Sequence, residues 1–297
     1  MSLCNEPSIV LADLRWARGT LVGVCGCFLM RLAVSNIAWS AVEEPVVLEL
    51  LRSCDVSGVE IAPTKIWPQW AGASVAAAKE LRRRYENLGL LIPAVQSVLF
   101  ERSGLRLFSD SDGRLALRRH LVMVGHIAEA LGAARVVFGS PRNRDRGTLD
   151  PASAMERAVE FFSAVGAEFA ECGVCLCIEA NPTLYQCNFV TRWPEAAELV
   201  RRVASPGVGL HLDVACTVLA GDDPVTAIQA CATTLRHFHI SEPHLGGFAS
   251  PVIDHSKVGS ALCASGYEGW ISIEMRRQED AVGGLREAIR HAKRCYS

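Results

Sequence analysis

From residue 31 onward, short apolar runs alternate along the chain with longer amphipathic segments. The runs are rich in Val and Ile and are bounded by Gly, Asn or Pro, as is typical of buried parallel strands. Each run and the segment after it together have the length of one strand–helix unit. The eight runs are RLAVS (31–35), GVEIA (58–62), LIPAVQS (91–97), RVVFGS (135–140), GVCLCIEA (173–180), GVGLHLD (207–213), LRHFHIS (235–241) and GWISIEM (269–275).

The segments between the runs carry helical periodicity, because their apolar residues recur at spacings of three and four. One buried helix face is predicted over 117–131, and it consists of Leu117, Leu121, Val124, Ile127 and Leu131. An earlier helix is predicted over 46–54, and its buried face consists of Val46, Leu50, Leu51 and Cys54.

Right-handed crossovers between such units allow either an open doubly wound sheet or a closed barrel. No G-x-G-x-x-G fingerprint follows any run, so the pattern does not support a dinucleotide-binding sheet. Eight units predict a single (β/α)8 TIM barrel over residues 30–297. The segment MRLAVSNIAWS, which starts at Met30, is the expected opening of the barrel. Residues 1–29 are therefore expected to be an N-terminal extension outside it.

Composition narrows the range of functions. Thirty basic and 32 acidic residues give a net charge of −2, so no strong positive field is available for nucleic acid. The apolar run over residues 20–30 is too short to span a bilayer, so no membrane association is expected. Twelve cysteines in so large a chain indicate reduced thiols in the cytoplasm. Cys175 and Cys177 alternate with apolar residues, which favours core filling over a metal site.

Polar side chains collect where the predicted strands end, which is where a barrel of this kind carries its chemistry. A charged residue in an apolar strand costs several kcal/mol unless it is paired or ligated, and one shared cation would explain such residues at four strand ends. Those residues are Glu179, Asp213, His239 and Glu274. Three carboxylates and one imidazole suit one divalent ion, Mn²⁺ first and Mg²⁺ or Co²⁺ as alternatives. Asp213 alone could instead cap the following helix.

The sequences around four of these strand ends resemble those of the xylose-isomerase-like barrels, the sugar phosphate isomerase/epimerase superfamily. The resemblance covers residues 31–293, and its carriers are CIEAN (177–181), HLDVAC (211–216), HFHISEP (237–243) and SIEM (272–275). The intervals of 34, 26 and 35 residues between Glu179, Asp213, His239 and Glu274 are similar to those of the ketose 3-epimerase branch. The resemblance implies that these four residues bind the metal and that Glu179 and Glu274 are also the catalytic acid/base pair.

Two departures from that branch concern the substrate. Cys216 stands where the branch has a histidine, and Leu245 stands where it has an arginine, so the family's sugar is not carried over. The residues expected to contact the substrate are Lys65, Gln96, Asn181, Arg142 and His255. Arg142, with Arg144 and Arg146 in the same loop, would suit a phosphate or carboxylate on the substrate, and a solvated loop is the alternative.

The resemblance therefore implies a metal-dependent isomerase or epimerase of a sugar or sugar derivative. Its partner would be a small carbohydrate, not nucleic acid, and a homo-oligomer is compatible with the sequence. Two other activities stay open. One is a sugar dehydratase or lyase that uses the same metal chemistry, and the other is an apurinic-endonuclease-like hydrolase. The sequence also leaves open whether hydrogen moves as a proton or as a hydride.

Overall fold

The computed structural model describes residues 30–296, and eight parallel strands form its centre. Each strand lies within one of the apolar runs, so the eight predicted strands are confirmed. The third is reduced to two residues directly after Pro93, which has no N–H to contribute to a strand ladder. The strands are β1 (Arg31–Ser35), β2 (Gly58–Glu60), β3 (Ala94–Val95), β4 (Arg135–Phe138), β5 (Cys175–Glu179), β6 (Val208–Asp213), β7 (Leu235–Ser241) and β8 (Trp270–Glu274).

Strand pairing closes the sheet into a barrel. The hydrogen-bonded order is β2-β1-β8-β7-β6-β5-β4-β3. Isolated parallel bridges, Gly58 to Leu91 and Ile61 to Val95, join the two outer strands of that order. The chain is therefore a single (β/α)8 TIM barrel, as predicted. The prediction that residues 1–29 form an extension lies outside the described residues.

Helices follow every strand and cover the outside of the barrel. They are α1 (Glu44–Ser53), α2 (Pro63–Ile66), α3 (Val75–Glu86), α4 (Ser111–Leu131), α5 (Pro151–Glu171), α6 (Trp193–Val203), α7 (Val214–Leu219), α8 (Pro224–Cys231), α9 (His255–Ala264) and α10 (Ala281–Tyr296). The predicted face of α4 is buried throughout. In α1 the prediction was off by one residue, because Val47 is buried whereas Val46 is 51% exposed. Within residues 30–296, no helix is long and apolar enough to cross a membrane.

The cysteines of β5 belong to the barrel core. Cys175 and Cys177 are free and buried, and the Cys177 thiol donates a weak hydrogen bond to the Cys175 carbonyl at 3.5 Å. Their placement agrees with core filling.

Candidate active site and metal centre

The carboxyl ends of β5 to β8 bring the four predicted ligands together. Glu179, Asp213 and Glu274 are the last residues of β5, β6 and β8, and His239 lies near the end of β7. The Nδ1 atom of His239 lies 3.2 Å from Oε2 of Glu274 and 3.7 Å from Oδ2 of Asp213. Candidate ligand atoms of Glu179, His211, Asp213 and His239 all lie within 4.8 Å of one another. We refer to Glu179, Asp213, His239 and Glu274 as the quartet.

Strand register and one glycine determine where the side chains of the quartet lie. Asp213 and His239 are direct partners across β6 and β7, which places their side chains on the same face. Gly139, just after β4, faces Glu179 from the neighbouring strand. A Cβ atom on Gly139 would lie 2.1 Å from Oε2 of Glu179. Glycine is therefore required there for the carboxylate to keep its position.

The two oxygens of Asp213 have different environments. Oδ1 accepts a hydrogen bond of 2.6 Å from the Cys216 backbone N–H and so caps α7. Oδ2 is buried and has no hydrogen-bond partner among the described residues. The capping interpretation is confirmed for one oxygen, while the other stays available for a metal.

Burial and the charges of neighbouring groups shift the pKa values of the quartet. Burial, together with the charges of Asp213 and Glu274, raises the pKa of Glu179 to about 8. Burial also raises the pKa of Glu274. At Asp213 burial acts in the same direction, but His239 outweighs it and lowers the pKa. The pKa of His239 is raised well above its usual value because Glu60 and Glu274 outweigh its desolvation. Protonated His239 is therefore the protein's own source of positive charge in this cluster.

The donor set fits a divalent cation. The Nε2 atom of His239 lies 3.1 Å from each oxygen of Glu60. This contact is a hydrogen bond only if Nε2 carries a proton. The other ring nitrogen, Nδ1, is buried without a hydrogen-bond partner among the described residues and faces two carboxylates. A lone pair facing anions is unfavourable unless a proton or a metal ion lies between them. Three carboxylates and an imidazole could hold Mn²⁺, Mg²⁺ or Co²⁺.

A cavity of about 460 Å³ opens directly above the quartet. Gln96 and Asn181, two of the five residues predicted to contact substrate, line it. Lys65 instead lines a separate hollow beside α1, and Arg142 is exposed outside the cavity lining. The structure thus brings two of the predicted contacts to the cavity and leaves these two cations away from it.

Arg144, rather than Arg142, is the arginine of this loop that reaches the site. Its side chain is buried and donates hydrogen bonds to the carbonyl of Glu179 at 2.6 Å and to Oδ1 of Asn181 at 2.8 Å. Its remaining contacts are with Cys187 and Val190. Arg144 therefore holds the end of β5 in place, and it makes four hydrogen bonds within the protein.

His255, the fifth predicted contact, is buried behind the cavity wall. Its Nε2 lies 2.9 Å from Glu242 Oε1, and its Nδ1 lies 2.7 Å from the hydroxyl of Tyr296. Glu242, which lines the cavity, also accepts hydrogen bonds from the backbone N–H groups of Val252 and Ile253. His255 thus supports a wall residue and does not face the cavity.

Glu60, the last residue of β2, is a residue of the site to which no role was assigned from the sequence. It is fully buried beneath the quartet, where its carboxylate contacts His237 and His239. The signal for it was a charged residue ending an apolar strand, the same signal that marked the quartet. Another group that could hold a metal, His126, Glu129 and Cys172, lies on the surface formed by α4 and the end of α5.

A family comparison agrees with this architecture. The family model described as xylose isomerase-like TIM barrel matches residues 48–295, and the chain belongs to that family. Among curated proteins, it is 28% identical over 90 residues to a ketose 3-epimerase of Arthrobacter globiformis. That match covers 30% of this chain and 31% of the relative, so the chain spans about a third of that relative's length.

Solved structures show the same fold. A D-psicose 3-epimerase from Clostridium cellulolyticum H10, solved with D-tagatose, superposes with a TM-score of 0.74 and 17% identity over 90% of this chain and 100% of that one. The IOLI protein, solved with a bound zinc atom, superposes with a TM-score of 0.69 and 18% identity over 90% and 96% of the two chains.

Metal binding at this site should depend on pH. With the pKa of Glu179 at about 8, at least this carboxyl must lose its proton before it can act as a ligand. The affinity for Mn²⁺ should therefore rise with pH by up to about tenfold per unit for each proton released, and should level off above the pKa. Calorimetric titrations between pH 6.5 and 8.5 measure this slope. An affinity independent of pH would contradict the assignment of Glu179 as a ligand.

A second prediction concerns Gly139→Ala. Because the added methyl group would occupy the position of the Glu179 carboxylate, Mn²⁺ affinity should fall by at least about tenfold, as for a displaced metal ligand. Gly104→Ala is the matched control, because a Cβ atom there meets no atom within 4 Å. Equal Mn²⁺ affinity in the two variants would show that Gly139 does not make room for a ligand.

Proposed function

We propose that this chain is a divalent-metal-dependent epimerase or isomerase of an uncharged sugar or sugar derivative. The observation that carries the proposal is the buried quartet at the base of a cavity large enough for a monosaccharide. Membership of the xylose isomerase-like family and the local similarity to a ketose 3-epimerase support it. The ion we propose is Mn²⁺, because carboxylates favour Mg²⁺ and Mn²⁺ while the single imidazole favours a transition metal.

The cation would be held by Glu179, Asp213, His239 and Glu274. A divalent ion held there would polarise a substrate carbonyl and the neighbouring hydroxyl, and would so make the hydrogen on the hydroxyl-bearing carbon more acidic. Glu179 and Glu274 end β5 and β8, which two other strands separate in the barrel. They therefore reach the substrate from different sides. We propose that one of them removes the carbon-bound proton and the other returns a proton to the opposite face or to the neighbouring carbon.

The charge of the cavity supports an uncharged substrate. Among the described residues that line it are four carboxylates and no lysine or arginine: Glu179, Asp213, Glu242 and Glu274. A divalent cation would leave this lining net negative. A phosphate ester adds a charge of about −1.5 to −2 and would find no lysine or arginine among the described residues of this lining. The same repulsion weighs against the phosphodiester backbone of nucleic acid, and an uncharged sugar fits best.

The acid/base roles predict the behaviour of Glu179→Gln and Glu274→Gln. Each replacement keeps an oxygen donor but removes the base, so turnover at saturating Mn²⁺ should fall about 10²–10⁴-fold. Deuterium from solvent should appear at the substrate carbon next to the carbonyl in the unmodified protein, as followed by NMR. Glu86→Gln, on the exposed surface of α3, is the control and should keep full turnover.

Two outcomes would contradict this mechanism. Full turnover in both glutamine variants of the quartet would exclude these glutamates as the acid and base. Complete retention of the original substrate hydrogen during turnover would replace proton transfer by a hydride shift.

The acidic lining of the cavity should disfavour phosphorylated substrates. In a panel of ketoses and their terminal phosphate esters, the free sugars should be turned over with kcat/KM at least about tenfold higher than their esters, because like charges brought together cost several kcal/mol. The difference should shrink at high ionic strength, which screens that repulsion. A preference for the esters at every salt concentration would overturn the assignment of an uncharged substrate.

A further inference from the structure

Glu60 is the most deeply buried carboxylate beneath the proposed metal centre. It is the last residue of β2 and has no solvent exposure. Its Oε2 lies 3.2 Å from Nε2 of His237, and both of its oxygens lie 3.1 Å from Nε2 of His239. The ion-pair partners that the described structure gives Glu60 are these two imidazoles. Glu60 therefore depends on histidine N–H donors for its stabilisation.

This dependence specifies where the imidazole protons lie. A carboxylate without solvent contact is strongly destabilised unless it accepts hydrogen bonds, so both Nε2 atoms must carry a hydrogen. A neutral His239 with its proton on Nε2 has its lone pair on Nδ1. That atom lies 3.2 Å from Glu274 and 3.7 Å from Asp213. Glu60 thus directs the lone pair of His239 toward the other members of the quartet.

A second buried carboxylate–imidazole pair in the same molecule provides a contrast. Glu242 and His255 lie 2.9 Å apart, and the other nitrogen of His255 is bonded to Tyr296 at 2.7 Å. Every ring nitrogen of that pair has a partner within the protein. The outer nitrogen of His239, in contrast, faces two carboxylates of the quartet, Glu274 at 3.2 Å and Asp213 at 3.7 Å. The Glu60–His239 pair is therefore arranged as a metal ligand and its supporting carboxylate would be, with the second ring nitrogen directed at the other acidic ligands.

We propose that Glu60 is a positioning residue that fixes His239 in the tautomer with its proton on Nε2, so that Nδ1 is the metal-binding atom. Glu60 contacts neither the cavity nor the substrate, since it does not line the cavity. This inference rests on the proposed metal centre. It adds Glu60 as the group that sets the orientation and basicity of the imidazole ligand His239.

The test compares Glu60→Gln with Asp222→Asn in the full chain, by calorimetric titration of the metal-stripped protein with Mn²⁺. Asp222 is a carboxylate with only 5% of its side chain exposed, and it pairs with Arg192 outside the cavity lining. Both variants remove one paired carboxylate charge, but only Glu60 contacts a quartet residue. We expect Mn²⁺ to bind Glu60→Gln about 10- to 100-fold more weakly than the unmodified chain. Asp222→Asn should stay within about threefold. Equal losses in both variants, or none in Glu60→Gln, would overturn the role of Glu60.

A second measurement needs no variant at position 60. In the chain loaded with diamagnetic Mg²⁺ or Zn²⁺, long-range ¹H–¹⁵N NMR correlations report which nitrogen of His239 carries hydrogen, and His239→Asn assigns the signal. We expect the proton on Nε2, and a proton on Nδ1 would overturn the inference even if Glu60→Gln failed to fold. If the unmodified chain bound no divalent metal, the proposed metal centre itself would fail, which is a different result.

Discussion

Several carboxylates lie close together in one buried volume at the carboxyl ends of the strands, and their mutual repulsion has to be offset. Two like charges about 4 Å apart repel by about 4 kcal/mol at an effective dielectric constant near 20. Glu60, Glu179 and Asp213 are buried, and the side chain of Glu274 is only 13% exposed. Protonated His239 is the nearest positive charge that the protein supplies. A divalent cation would turn the repulsion among these groups into attraction, and we regard this as the reason that the chain tolerates them.

The surrounding scaffold holds these side chains at fixed positions. Gly139 leaves the space that the Glu179 carboxylate occupies, and Arg144 binds the carbonyl of the same residue from behind. The helix cap at Asp213 uses one carboxylate oxygen and turns the other toward His239. Ligand sites held in this way are prearranged, so that little reorganisation accompanies binding. Among the described residues, four carboxylates and no lysine or arginine line the cavity above the quartet, and the proposed preference for an uncharged substrate rests on this lining.

The fold and the quartet were predictable because both leave local signals. Strands buried on both faces appear as apolar runs, and ionisable residues that end such runs are conspicuous. The roles of Arg144 and Glu60 could not be predicted in the same way. Glu60 is, like the quartet, a charged residue that ends an apolar run, but this signal does not show which residues it contacts. Arg144 is 35 residues from Glu179, and Glu60 is 179 residues from His239, so only the closed barrel brings them together. Nothing in the loop that follows β4 distinguishes Arg144, which turns inward, from the exposed Arg142. For the same reason Lys65 and His255 were expected at the cavity, although the structure places them elsewhere.

Anomalous diffraction at the manganese absorption edge, from crystals grown with Mn²⁺ at about pH 8, would show whether the quartet binds one divalent cation. We expect one strong anomalous peak per chain, within coordination distance of Glu179, Asp213, Nδ1 of His239 and Glu274. A peak at the surface group that contains His126, Glu129 and Cys172 with none at the quartet, or no peak at all, would contradict it.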